Sequence, residues 1–167
     1  MRALLLLSLT ALAACSEAEQ PKQEAPAPAA QLAAGQWEVT SEVTRFKESD
    51  AGPPAIRAKT GDKTTDTACI AEGQGKQPPP ALFLGAKSGT CEYRNSYLSG
   101  GRMNASITCK RPGLSGDVLT SLDGNYTADS FEGTLDTSTY LSTNGDVAIG
   151  SKITGRRTGA CTAEKAA

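Results

Sequence analysis

Outward from Ala128-Asp129 the chain reads as two matching arms. Across that two-residue turn Tyr126 faces Phe131, Gly124 faces Gly133 and Leu122 faces Leu135. Large residues recur at every second position on both arms, which is the period of a half-buried β-strand. A one-residue slip would send each of them to the opposite face, so the match sets the register as well as the strand type. The facing glycines predict a sharply bent or coiled hairpin, as barrels need.

The same reasoning extends to the rest of the chain. Residues 91–98 and 102–110 flank Ser99-Gly100-Gly101, and a three-residue loop ending in Gly suits a hairpin with a bulge. That closure sets Tyr97 opposite Met103, Asn95 opposite Ala105, Tyr93 opposite Ile107 and Cys91 opposite Cys109, with the large apolar partners on one face. A further hairpin turns at Asn144-Gly145. A strict two-residue turn would oppose Leu141 to Ala148 and Thr137 to Lys152. Adding Asp146 to the loop opposes Leu141 to Ile149 and Thr137 to Ile153, and this register is expected because it keeps the buried face consistent. Trp37, Val39, Ser41 and Val43 share one face of a first strand, and residues 64–70 form a second. The sum is an all-β antiparallel meander of about seven strands forming a small closed or partly open barrel. Its one long connection, 71–90, holds Pro78-Pro79-Pro80 and then Ala81-Leu82-Phe83-Leu84. The prolines forbid a central strand there. The apolar run after them is expected to pack as a short helical turn capping one barrel mouth.

The N-terminus reads as an address. Met1-Arg2 is followed by an apolar run through Leu12, then Ala13-Ala14 and Cys15. A short charged start, an apolar stretch and small residues before the cut define a secretory signal peptide, here residues 1–14. Cys directly after Leu12-Ala13-Ala14 resembles the bacterial lipobox, which implies a diacylglyceryl group on Cys15 and anchorage in a membrane. Ser16 after it favours the outer membrane over the inner one, facing the periplasm. Residues 15–34 are rich in Ala, Pro, Glu and Gln and are expected to be a disordered tether, since such composition buries too little surface to offset its ordering entropy. The folded domain is then 35–161, with a flexible tail at 162–167.

Cysteine usage fits that compartment. Setting Cys15 aside leaves four of the five cysteines, and exported domains with sparse cores commonly carry disulfides. The hairpin arithmetic pairs Cys91–Cys109, which leaves Cys69–Cys161. In a plain up-and-down meander these last two lie at opposite ends. They meet if 71–90 crosses from one end of the sheet to the other, which also brings strand seven antiparallel beside strand one. Pairing of Cys69 with Cys91 and Cys109 with Cys161 would instead indicate an open, locally stapled sheet. No C-x₂-C pair is present, so a four-cysteine metal site is not expected.

Chemistry is sparsely signalled. The chain has no histidine, which excludes Ser-His-Asp and Cys-His catalysis. Loss of Arg2 with the leader leaves 16 positive against 18 negative charges, and a net of −2 argues against nucleic acid as a partner. Arg156 and Arg157 point to opposite strand faces and cannot form one clamp; pairing with an acid such as Glu38 or Glu132 is expected. Asp123, Asp129, Glu132 and Asp136 fall near turns or on solvent faces. Tyr93, Tyr97, Met103, Tyr126 and Phe131 form an inward-facing set that would either fill the core or line a ligand cavity. The expected role is therefore a non-enzymatic envelope lipoprotein that binds or interacts, without cofactor or metal. Carriage of a small apolar or lipid-like ligand is the alternative, and a histidine-free hydrolase the weakest reading. A continuous cavity above ~300 Å³ would favour the carrier.

Gly35-Gln36-Trp37-Glu38-Val39-Thr40, the Tyr126–Thr134 hairpin and Gly155-Arg156-Arg157-Thr158-Gly159-Ala160-Cys161 together resemble the proteobacterial family known as domain of unknown function 3617. Its pattern is a G-x-W-E-V-T opening, a Y-x-G-D-S-[YF]-E-G-T hairpin and a closing G-[KR]-R-x-G-x-C, with Cys69, Cys91 and Cys109 fitting its remaining cysteines. Ala128 replaces the usual Gly, and the prolines of 78–80 stand where the family looks helical. The resemblance implies a fold but no activity.

Overall fold

The computed structural model describes residues 31–161. The leader, Cys15, the tether up to residue 30 and the tail 162–167 lie outside the described residues. Seven strands follow in order: β1 (Gly35–Glu48), β2 (Lys63–Ile70), β3 (Thr90–Ser99), β4 (Arg102–Lys110), β5 (Gly116–Tyr126), β6 (Ser130–Leu141) and β7 (Val147–Gly159), with one short helix, α1 (Ala81–Leu84), and a 3₁₀ turn at Ala86–Ser88. All are antiparallel in a single sheet ordered β2-β1-β7-β6-β5-β4-β3. β7 lies beside β1, as the crossover argument requires. Hydrogen bonds do not close the sheet, and β2 and β3 remain as its edges.

The 71–89 connection runs between those edges. Leu82 and Phe83 of α1 are buried, and one core cluster joins them to Ile70 of β2 and Leu98 of β3. The Tyr93 hydroxyl of β3 donates to the Pro78 carbonyl at 2.7 Å. A chain without backbone donors at 78–80 cannot extend the sheet, so it packs across the gap instead.

The two ends of the domain differ. At one end Trp37 is fully buried, stacks on Phe131 with ring centroids 5.6 Å apart, and donates its indole N–H to the Ala33 carbonyl at 3.1 Å. Phe83 meets Phe131 edge-on at 5.4 Å. The paired glycines Gly124 and Gly133 have a specific use there. The Met103 methyl would lie 2.7 Å and 3.2 Å from a Cβ at either position, so the thioether fills the space their missing side chains leave. Cys161 is paired with Cys69 at this end, Cα–Cα 5.5 Å, and Cys91 with Cys109 at the other, Cα–Cα 4.1 Å. To reach Cys69 on β2, Ala160 and Cys161 pass over the start of β1. Gly35 permits it, since a Cβ there would collide with the Gly159 carbonyl.

The Tyr126–Phe131 hairpin has the expected register throughout. Three expectations need correction. The packed domain starts at Leu32 rather than Gly35: Leu32 is fully buried and donates its N–H to the Gly75 carbonyl, while Ala33 donates to the Ala128 carbonyl. The β3–β4 hairpin keeps Cys91 opposite Cys109 and Tyr93 opposite Ile107, but Arg94 is a bulge. Beyond it Leu98 opposes Met103 and Tyr97 opposes Asn104. The turn is two residues, Gly100 and Gly101, both at positive φ (59° and 79°), the geometry that matches strand twist. Finally, β6 meets β7 four residues away from the expected register, with Thr137 opposite Ile149 and Gly133 opposite Ile153. Face parity is preserved, but the connection is wider. The Asp146 carboxylate accepts from the Leu141 N–H and the Thr139 hydroxyl, and Thr139 in turn accepts from the Val147 N–H. Side chains replace the ladder bonds there.

Candidate functional site

Toward the Cys91–Cys109 end the interior is not filled. A cavity of about 160 Å³ lies beneath the 81–88 segment. Its apolar walls include Val39, Phe83, Val118 and Leu135. Beside them, inward positions of β1, β2, β5, β6 and β7 carry hydroxyls: Ser41, Thr64, Thr120, Thr137 and Ser151. Ser41 and Thr64 are cross-strand partners. So are Thr120 and Thr137, whose hydroxyls bond each other at 2.9 Å.

Two charged side chains also line this space, Asp66 from β2 and Arg111 from just past β4. They form no ion pair with each other, and among the described residues neither has a salt-bridge partner. The Arg111 Nε is buried without a hydrogen-bond partner. Burial, with no carboxylate to offset it, pushes the guanidinium pKa below its ordinary value. A desolvated polar atom with no partner carries a free-energy cost. The cavity thus offers one cation, one carboxylate and a hydroxyl ring over an apolar floor.

The five residues weighed as core filling or cavity lining do not line this cavity. Met103, Tyr126 and Phe131 are buried core at the filled end. Tyr93 leans on the crossover through Pro78. Tyr97 is 60% exposed on the outer face, because the bulge at Arg94 reverses the alternation before it. Arg156 pairs with Glu38 across β1 and β7 at 2.9 Å. Arg157 points the other way, donating from Nε to the Ala34 carbonyl at 2.7 Å. Of the four carboxylates, Asp136 pairs with Arg45 at 2.7 Å, Asp123 accepts from Asn104, Asp129 lies 3.9 Å from Arg157, and all four side chains sit on the exposed face. They do not converge. No group of three or more potential metal ligands occurs among the described residues.

Residues 32–161 match the family model described as a protein of unknown function, DUF3617. The chain belongs to the DUF3617 family. No curated protein and no solved structure matches it. The DUF3617 boundary at residue 32 coincides with the burial of Leu32. Within this DUF3617 domain Asp66 and Arg111 were not visible as a pair in sequence, because they stand 45 positions apart. The available signal was weaker: Thr120 and Ser151 interrupt apolar inward rows, and Thr137 and Thr139 end the inward row of β6.

Proposed function

We propose that this chain is an exported envelope lipoprotein, anchored through Cys15, whose β domain acts as a non-enzymatic binding module. The observation that carries the anchor is cysteine pairing. All four cysteines of the domain are engaged with one another, which leaves Cys15, placed after an apolar run and Leu12-Ala13-Ala14, as the odd thiol. Disulfides fit an oxidising compartment, and Ser16 favours the outer membrane. The binding role rests on the polar cavity. Carriage of a lipid-like molecule is less well supported, since about 160 Å³ of space falls below the ~300 Å³ of ordinary ligand pockets.

Metabolic labelling with palmitate tests the anchor. Wild-type protein is expected to take the label and fractionate with membranes, and Cys15→Ser to do neither. Label on the Cys15→Ser protein, or none on wild type, overturns this reading.

A further inference from the structure

We infer that the cavity beneath the 81–88 segment binds a small zwitterion, its carboxylate against Arg111 and its cationic end against Asp66. The inference deepens the binding-module reading and rests on it. Three observations carry it. Asp66 and Arg111 line one space, and neither is neutralised by another described side chain. Opposite charges near a half-enclosed, low-dielectric wall ordinarily pair with each other or with a neighbour; here that neutralisation is left to something else. A guanidinium takes a carboxylate in two parallel hydrogen bonds, while a carboxylate takes an ammonium.

The second observation is balance. One cation and one anion make the lining neutral overall, so a ligand of net charge satisfies one group and repels or strands the other. A simple anion meets Asp66; a simple amine meets Arg111. Only a molecule with both charges uses both, and the unused group acts against competitors. The third is size and floor. About 160 Å³ is close to the ~150 Å³ that admits one benzene, which means roughly six to ten heavy atoms. Val118, Leu135 and Phe83 suit a short aliphatic link between the charged ends, and Ser41, Thr64 and Ser151 suit the remaining lone pairs and protons. Neither an acyl chain nor a peptide of any length fits.

Isothermal calorimetry on the full chain purified from membranes in detergent tests this. The probes are γ-aminobutyrate and β-alanine against butyrate and butylamine, which each keep one charge. The zwitterions are expected to bind roughly ten- to a hundredfold more tightly than either half, the loss that goes with one charged hydrogen-bond set. Asp66→Asn should bring γ-aminobutyrate and butyrate to equal affinity, and Arg111→Gln should remove binding of both. Asp66 lies on an edge strand and holds no structural bond, so the Asn variant is expected to melt with wild type and keeps the test clean. Equal binding of butyrate and γ-aminobutyrate by wild type, an unchanged Asp66→Asn, or no binding by any probe overturns the proposal. Native mass spectrometry of the same preparation separates the two readings: a co-purified ligand of other chemistry sinks the zwitterion and leaves the binding module standing. Absence of any ligand or probe removes both.

Discussion

Truncation of Trp37 tests the filled end of the domain most directly. The side chain is fully buried, stacked on Phe131 and bonded to the Ala33 carbonyl. A buried aromatic of this size removes about 150–250 Å² from water. At ~25 cal/mol per Å² that is about 4–6 kcal/mol, of which alanine recovers a small part. Large aromatic-to-alanine changes in cores cost about 3–5 kcal/mol, so Trp37→Ala is expected to lose about 4 kcal/mol. For a domain of this size each kcal/mol moves the midpoint by roughly 3–5 °C, giving a fall of about 12–20 °C. Trp37→Phe separates the contributions. It keeps a ring on Phe131 and leaves the Ala33 carbonyl without its donor, at about 1–2 kcal/mol. Urea unfolding followed by far-ultraviolet dichroism reads both variants without depending on the lost fluorophore. A loss below about 1 kcal/mol for Trp37→Ala, the ordinary cost of a surface change or less, would refute the packing argument. So would wild-type emission at the wavelength of water-exposed indole.

Non-reducing peptide mapping should recover Cys69–Cys161 and Cys91–Cys109; a Cys69–Cys91 peptide would contradict the crossover. On the chain-entropy account the Cys69→Ser/Cys161→Ser variant loses about 4–5 kcal/mol and Cys91→Ser/Cys109→Ser about 3 kcal/mol, because the first closes the longer loop. Burial raises the Tyr93 pKa well above its ordinary value. The native state therefore holds the phenolic proton more tightly than the unfolded chain. That contribution is fully present below about pH 10 and is lost as pH rises beyond it. Stability measured from pH 8 to 11 should fall above about pH 10 in wild type and fall less steeply in Tyr93→Phe; equal slopes would assign the loss to other groups.

How much of this was legible in sequence depended on where the partner residues lay. The Tyr126–Phe131 register was readable because both arms sit within a dozen residues of one turn and bury the same face. Cys91 opposite Cys109 was readable for the same reason. The outer half of that hairpin was not: the extra residue at Arg94 leaves no mark in a pattern of alternating polar residues, and it alone turns Tyr97 outward and Leu98 inward. The β6–β7 offset was hidden because Asp146 satisfies backbone and hydroxyl donors with its side chain, so turn length could not be inferred from backbone pairing. Leu32 read as tether because its own neighbours are Ala and Gln; its partners, Gly75 and the core beneath it, lie far along the chain. The cavity was invisible on the same grounds, since its lining comes from six strands, α1 and two loops.

The two ends of the domain also differ in what fastens them. The chain enters the fold at Leu32, whose neighbour Ala33 bonds the β5–β6 turn at Ala128, and this is the end packed by Trp37, Phe131 and Met103. The Cys69–Cys161 link fastens the chain just past β7 to the same end. The anchor proposed upstream of residue 31 would therefore pull on the filled end. The cavity lies toward the opposite end, under a segment that joins the sheet's two free edges by side-chain contacts and the Tyr93–Pro78 bond rather than by a strand ladder. Leu82 and Phe83 fix that segment to the core. The central strands β1, β7, β6 and β5, paired on both sides, carry four of the five hydroxyls that line the cavity.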